Sequence, residues 1–341
     1  MSSLSVPAEA VAELKALLAS PRRLAIVSHF NPDGDALGSS LGLMHVLRAA
    51  GHTVRVILPN SPSETFDGMP GRGEALCADR SPDAAPSAVR TSDVVLCLDF
   101  NRLDRAGVLE EAIRGVPVKV LIDHHQEPEP FASIAFSNTS ASSTCQMVFD
   151  ILHALGLDHL VGVEAATCFY TGMVTDSGSF RFRSTTPHTM RVAALLMERG
   201  VDIERVHGSI SDSSSEDRLR LLGFTLSERM QVLPEQRTVV IGLGADDLKR
   251  FNYKNGDTEG FVNYGLSIRG VRLAAFFVER QDQVKISLRS KGDLPVDGFL
   301  KEHFDGGGHA NAAGGRSSMS LEATVHRFMS LLPAFLAAHP A

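Results

Sequence analysis

Short apolar runs alternate with helical patterns along the first half of the chain. Apolar runs rich in β-branched residues predict strands at 24–28, 54–58, 93–98 and 118–122. Helical spacing predicts helices over 36–50, 147–157 and 163–174, whereas the Pro-, Gly- and Ser-rich stretch 59–87 predicts a loop. A strand, a helix and a second strand in this order form a β-α-β unit, which implies parallel strands joined by right-handed crossovers.

The pattern changes beyond residue 185. Helical spacing continues over 187–200 and 215–230, and apolar runs then predict strands at 238–243, 271–279 and 284–288. A last helix is predicted from Leu321. We therefore expect an α/β protein with a larger parallel-sheet domain over 1–185, a helical connector over 186–230 and a smaller α/β domain over 231–341.

The composition narrows the class of protein. A chain of 341 residues is longer than one typical domain. The net charge of −7 argues against a protein that coats nucleic acid, but it leaves room for a small anionic substrate. The four scattered cysteines are expected to be thiols in a reducing compartment. The first twenty residues predict an amphipathic helix instead of a signal peptide, and no apolar run approaches a membrane span, so we expect a cytoplasmic protein without a membrane segment.

Acids and imidazoles gather where the predicted strands end. Because the carboxyl ends of parallel strands share one edge of a sheet, these side chains should meet there. Their number exceeds the needs of one ion and fits two divalent ions that share a carboxylate. Oxygen and imidazole donors without thiolate favour Mn, with Mg, Zn, Co or Fe as alternatives. The residues are His29, Asp33, Asp35, Asp99, Asp123, His124, His125 and Asp176.

Each of these residues also has a plainer interpretation. An Asp after a strand commonly caps a helix or forms a turn, and a His in a turn is commonly a solvated side chain. Their joint order is more specific than any single member. H-x-x-x-D-x-D, a strand ending in Asp, a strand ending in D-H-H, and T-D-S-G follow one another in turn. We therefore favour a pair of metal ions, an arrangement that suits in-line attack on phosphorus.

This ordered set resembles the motifs of the DHH phosphoesterases. The segment 306–309, Gly-Gly-Gly-His, followed by Ala-Ala-Gly-Gly at 312–315, resembles the signature of the DHH-associated C-terminal domain. The resemblance extends over roughly residues 20–335 and is strongest to the NrnA type, the bacterial oligoribonucleases that also act as pAp phosphatases. It implies that one Mn ion is held by His29, Asp33 and Asp99, and the other by Asp35, Asp99, His124 and Asp176.

The resemblance also implies two catalytic residues, Asp123, which orients a neighbouring ligand, and His125, which faces the scissile phosphate. Backbone amides of the glycine run are expected to approach an anion closely. Each predicted substrate-binding residue also has a plainer interpretation, as part of a tight turn, a helix cap or a solvated strand end. The predicted substrate-binding residues are Asn101, Arg105, Ser143, Arg289, Ser290, Gly307, Gly308 and His309.

The expected activity is Mn-dependent hydrolysis in a cleft between the two domains. The predicted substrates are short RNA oligonucleotides, cut to mononucleotides, and pAp, converted to AMP. A phosphodiesterase for linear or cyclic dinucleotides (pApA, pGpG or c-di-AMP) is the main alternative. An inorganic pyrophosphatase and a nucleotide sensor without catalysis are less favoured, because the G-G-G-H segment and the full ligand set are both present. The resemblance also suggests a homodimer.

Overall fold

A computed structural model describes residues 6–211 and 214–340 of the chain. The chain divides into two compact units, Met1–Ser213 and Ser214–Ala341, and the division lies within the predicted connector. The first five residues of the predicted amino-terminal helix, and residues 212, 213 and 341, lie outside the described part. Within that part, no helix combines the length and the apolar character that a membrane crossing requires.

The first unit contains the predicted parallel sheet, which lies between two layers of helices. Short 3-10 turns occur at Glu64–Phe66, Arg72–Glu74, Leu103–Leu109 and Asp158–Leu160. The strands are β1 (Arg23–Val27), β2 (Thr53–Leu58), β3 (Leu76–Cys77), β4 (Val94–Leu98), β5 (Lys119–Asp123) and β6 (Ile134–Ser137). The helices are α1 (Ala8–Leu17), α2 (Gly34–Ala49), α3 (Ala84–Arg90), α4 (Glu110–Arg114), α5 (Thr144–Leu155), α6 (Val163–Asp176), α7 (Pro187–Glu198) and α8 (Ile203–Ser211).

The order of the strands places a crevice at the middle of this sheet. Every pairing is parallel, and the order is β3-β2-β1-β4-β5-β6. From β1 the chain proceeds towards one edge through β2, and then returns to add β4 on the other side. Such a reversal leaves a crevice outside the carboxyl ends of β1 and β4, where open α/β sheets bind ligands.

Both faces of the first sheet are buried, which explains why its strands have unbroken apolar runs. Leu24 and Ile26 point into a core formed with α2, α5 and α6. Ala25 and Val27 point into a second core formed with α3 and α4. The sheet is therefore a rigid platform for the side chains at its carboxyl edge.

The second unit is a mixed six-stranded sheet in the order β11-β12-β10-β9-β8-β7. Only the β8–β9 pairing is parallel among the described strands. The strands are β7 (Met230–Leu233), β8 (Thr238–Leu243), β9 (Leu273–Glu279), β10 (Val284–Ser290), β11 (Asp305–His309) and β12 (Ala312–Ser317). The helices are α9 (Glu216–Phe224), which continues into a π-helical turn over Thr225–Arg229, α10 (Ala245–Arg250), α11 (Phe261–Leu266), α12 (Val296–His303) and α13 (Leu321–Ala338).

The sequence-based expectation differs from the structure in several places, two of which concern edge strands of the first sheet. The predicted loop 59–87 contains β3 and the beginning of α3, which are too short to produce a periodic apolar pattern. The edge strand β6 was not predicted from the sequence, although Ile134 and Phe136 are buried and alternate with exposed neighbours.

Candidate metal centre

The carboxyl edge of the first sheet brings the predicted ligands together. His29 follows β1, Asp99 follows β4, and Asp123 ends β5, directly before His124 and His125. Helix α2 begins beside β1, and α6 ends at the same edge with its last residue, Asp176. These elements meet at the crevice that the reversal of strand order creates.

One group of ligand atoms consists of His29, Asp33 and Asp99, whose donor atoms all lie within 4.8 Å of one another. The Nε2 atom of His29 is 3.5 Å from Oδ2 of Asp99 and 3.9 Å from Oδ1 of Asp33. His29 and Asp99 are buried, whereas about half of the Asp33 side chain is exposed. The group therefore has one side open to solvent.

A second group consists of Asp35, His124 and Asp176. The Nε2 atom of His124 is 3.3 Å from Oδ2 of Asp176 and 3.9 Å from Oδ2 of Asp35. It also lies 3.5 Å from Oδ1 of Asp99. The two carboxylate oxygens of Asp99 thus face different imidazoles, one from each group.

Backbone carbonyls fix the orientation of the two imidazoles. The Nδ1–H of His29 donates to the carbonyl oxygen of Phe30, 2.9 Å away, and Nδ1 of His124 lies 3.4 Å from that of Ala141. Such partners set the tautomer of a ligand histidine and direct its other nitrogen to the metal. Both rings consequently turn Nε2 towards the acids.

Asp123 and His125 form a pair beside these groups. The Nδ1–H of His125 donates to Oδ1 of Asp123 over 2.8 Å, and Nδ1 is 3.8 Å from Oδ1 of Asp99. Asp123 is fully buried, and its Oδ2 has no hydrogen-bond partner among the residues that the structure describes. A buried carboxylate oxygen without a partner is costly, so this edge of the sheet is suited to a nearby cation.

The acids repel one another in the absence of a cation. Burial and the neighbouring carboxylates of Asp99 and Asp176 raise the pKa of Asp35 well above its usual range. Burial and the charges of Asp33 and Asp99 do the same for the pKa of Asp176. Burial also opposes ionisation of Asp99, but the hydrogen bond from His29 and the two nearby imidazoles outweigh it and lower its pKa. Divalent cations would relieve this repulsion, so the donor set fits a metal pair.

Helices α2 and α6 approach closely, which brings Asp35 and Asp176 together. Gly34, Gly38 and Gly42 recur every fourth residue along α2. A Cβ atom on Gly38 would lie 2.5 Å from the carbonyl oxygen of Cys168 in α6, and one on Gly42 would lie 2.3 Å from the Phe169 ring. The absent side chains therefore set the separation of the two helices.

Thr144 is a contact of this site that the sequence did not reveal. Its hydroxyl donates to Oδ1 of Asp99 over 2.9 Å, and its backbone N–H donates to Oδ2 of Asp35 over 2.6 Å. The Ser-Ser-Thr cluster at 142–144 directly precedes the predicted helix 147–157, and such a cluster is typical of a helix cap. That interpretation applies to Ser143, because its hydroxyl accepts the N–H of Gln146 and caps α5.

The predicted substrate-binding residues of the first unit have different surroundings. Ser143 is fully buried and therefore presents no surface to a phosphate. The side-chain amide of Asn101 donates to the carbonyl oxygen of Gln126, 2.5 Å away, and so holds the segment after the D-H-H motif. The backbone carbonyl oxygen of Arg105 accepts the N–H of Phe30, the residue after His29, over 2.6 Å. Arg105 therefore lies beside the predicted metal ligand His29.

In the second unit, the predicted residues lie on β10 and on the hairpin of β11 and β12. Ala312 of β12 is paired with Arg289 of β10 on one side and with His309 of β11 on the other. Burial lowers the pKa of the Arg289 guanidinium. The Ser290 hydroxyl donates to the carbonyl oxygen of Leu294 and is buried, so it holds the following turn.

The glycine run is a strand of this hairpin and not a tight turn. A Cβ atom on Gly306 would lie 2.5 Å from the carbonyl oxygen of Gly314. One on Gly308, which has φ +140°, would lie 2.7 Å from that of Ala312. Gly307 has more space, since the atom nearest to a Cβ at that position would be Cε of Lys301, 3.6 Å away.

Comparison with known proteins matches each unit to a domain family. Residues 23–173 match the DHH family, N-terminal domain, and residues 238–337 match the DHHA1 domain. A bifunctional oligoribonuclease and PAP phosphatase NrnA from Thermus thermophilus is 31% identical, over 85% of this chain and 82% of that protein. The cyclic-di-AMP phosphodiesterase GdpP from Bacillus subtilis is 25% identical, over 92% of this chain and 48% of that protein.

A solved structure extends the match over both units. The crystal structure of an exopolyphosphatase-related protein from Bacteroides fragilis has a TM-score of 0.95 and 36% sequence identity, and the match covers 98% of this chain and 99% of that one. These matches confirm the family predicted from the sequence. With both domain types in the expected order and the predicted ligand motifs assembled at one sheet edge, the chain belongs to the DHH family of phosphoesterases, which hydrolyse phosphoester bonds.

Proposed function

We propose that this protein is a Mn-dependent phosphoesterase that degrades short oligoribonucleotides to mononucleotides and converts pAp to AMP by two-metal hydrolysis. The observation that carries the proposal is the position of Asp99. One of its oxygens faces His29 and the other faces His124, each at 3.5 Å, as expected of a carboxylate shared by two ions.

In this proposal, His29, Asp33 and Asp99 hold one ion, and Asp35, Asp99, His124 and Asp176 hold the other. Two divalent ions held in this way would activate water and offset the negative charge that develops at phosphorus. Oxygen and imidazole donors suit Mn, while Mg, Co and other divalent ions use similar donors.

Asp123 and His125 act as a unit in the proposal. The Asp123 carboxylate accepts the Nδ1 proton of His125, which fixes the tautomer and the plane of the ring. When the ring is protonated, Nε2 also carries a hydrogen, and the imidazolium is then suited to donate to a phosphate oxygen and to give that proton to a leaving group. Arg105 adds a positive charge beside His29.

The substrate class rests on the relatives and on the charge of the chain. The Thermus relative is named for both activities, and the match covers 82% of its length. A net charge of −7 favours a small substrate held by metals and a few cations over a long nucleic acid. Arg289, Gly307, Gly308 and His309 are proposed as phosphate-binding groups of the second unit. A cytoplasmic location and a homodimer belong to the same proposal.

A turnover assay distinguishes this function from its main alternative. Metal-free protein receives Mn, Mg or Co and is then incubated with 5′-labelled RNA oligomers from the dinucleotide upward, pAp, pApA, pGpG, c-di-AMP or pyrophosphate. Rapid loss of the shortest RNAs together with phosphate release from pAp supports the proposal. Preferred cleavage of c-di-AMP, the substrate for which the GdpP relative is named, or cleavage of pApA and pGpG with the longer RNA oligomers and pAp left intact, would replace the substrate assignment. A protein with Asp123, His124 and His125 all changed to Ala serves as the inactive control.

A further inference from the structure

The first turn of α5 contacts two acids of the candidate metal centre at once. The N–H groups of Thr144 and Cys145 donate to the two oxygens of Asp35, over 2.6 Å and 2.9 Å. The Thr144 hydroxyl donates to Oδ1 of Asp99 over 2.9 Å. One residue therefore connects a carboxylate of the second ligand group with the carboxylate that both groups share.

This turn is itself firmly held. Ser143 caps the helix by accepting the N–H of Gln146 over 3.1 Å. The side-chain oxygen of Gln146 accepts the hydroxyls of Ser142 and of Thr189 in α7, over 2.7 Å and 2.8 Å. All of these side chains are buried. The Thr144 hydroxyl is thus presented to Asp99 from a support that has little freedom to move.

Asp99 depends on an external contact for its orientation. Its backbone adopts φ 66°, a left-handed conformation that is strained for a residue with a side chain. The terminal torsion of an Asp side chain is broad, so the carboxylate plane is not set by its own rotamer. The Thr144 hydroxyl fixes Oδ1, and this leaves Oδ2 directed at His29, 3.5 Å away.

We propose that Thr144 is a positioning residue, whose hydroxyl holds the Asp99 carboxylate so that each oxygen serves a different ion. This inference rests on the proposed function, because it presupposes two ions that share Asp99. The hydroxyl is not used by the helix itself, since Ser143 supplies the cap. Thr144→Val removes the hydroxyl and keeps the shape, whereas Thr144→Ser keeps the hydroxyl.

The test is a titration of Mn into metal-free wild type, Thr144→Val and Thr144→Ser, followed by calorimetry and electron paramagnetic resonance. We expect wild type and Thr144→Ser to bind two ions with an exchange-coupled spectrum. Thr144→Val should bind at least one ion about 10–100-fold more weakly, the usual effect of losing an outer partner of a ligand, and should show the spectrum of isolated ions. Its kcat for pAp should fall more than its KM changes.

Thr189→Val is the matched control, because it weakens the support of the same turn without touching a carboxylate. It should lower the melting temperature and leave Mn affinity and the coupled spectrum as in wild type. A Thr144→Val protein with wild-type affinity and spectrum, or one that changes only in step with Thr189→Val, would overturn the inference. Failure of wild type itself to bind two ions would overturn the proposed function instead.

Discussion

The candidate sites of the two units are built on their sheets in different ways. In the first unit, buried side chains from separate elements converge at the carboxyl edge of a parallel sheet, and hydrogen bonds such as that from Thr144 to Asp99 orient them. In the second unit, backbone geometry dominates, because Gly306 and Gly308 lie against β12 where a Cβ atom would collide. The first candidate site therefore depends on the groups that its side chains carry, whereas the glycine hairpin depends on positions where a side chain would not fit.

The largest expected effect comes from the shared carboxylate. Asp99→Asn should reduce kcat/KM for pAp by about 10³-fold or more, beyond the ~10–100-fold that loss of an outer partner costs, because a ligand of both ions is altered. Asp93→Asn is the matched control. Asp93 precedes the amino end of the same strand and pairs with Arg23, so it should leave turnover unchanged. Comparable losses in both variants, measured by steady-state kinetics, would contradict the site assignment.

Two adjacent positions separate the structural and functional roles of the glycine strand. Gly308→Ala should lower the free energy of unfolding by about 1–3 kcal/mol, because its backbone conformation is unfavourable for a side chain and a Cβ would meet Ala312. Gly307→Ala should leave the denaturation midpoint close to wild type and raise KM for pAp. A Gly307→Ala protein with wild-type KM would remove Gly307 from the proposed phosphate contacts.

The smallest expected effect concerns a predicted substrate contact that the structure places inside a helix cap. Ser143→Ala should cost about 1 kcal/mol of unfolding free energy, as the loss of a cap typically does, without changing KM for pAp. Ser215→Ala removes the equivalent cap of α9 in the second unit and provides the comparison. A selective rise in KM for Ser143→Ala would restore Ser143 as a substrate contact.

Much of the fold could be predicted because local patterns determine it. The strands of the first sheet that are buried on both faces appear as apolar runs, and the helix beginning near Asp33 has clear spacing up to Gly51. The strand order could not be derived in this way, since it depends on pairings between distant segments. The glycine hairpin was also not predicted as strands, because glycine has a low intrinsic preference for them.

The candidate site was predictable to the extent that each ligand follows a recognisable element. His29, Asp99 and Asp123 lie at strand ends, where the sequence placed them. The contact between Thr144 and Asp99 joins positions 45 residues apart, and no local pattern identifies it. The sequence therefore predicted a list of ligands, whereas the groups that orient them required the fold.

The glycine contact between α2 and α6 has a mechanical consequence. Where Gly38 lies against the Cys168 carbonyl, backbone meets backbone, so no side chain can change its rotamer to let the helices move closer or apart. Close-packed interiors have low compressibility. The close contact between the two helices therefore keeps the distance between Asp35 and Asp176 nearly constant, so the width of the site is fixed by the fold.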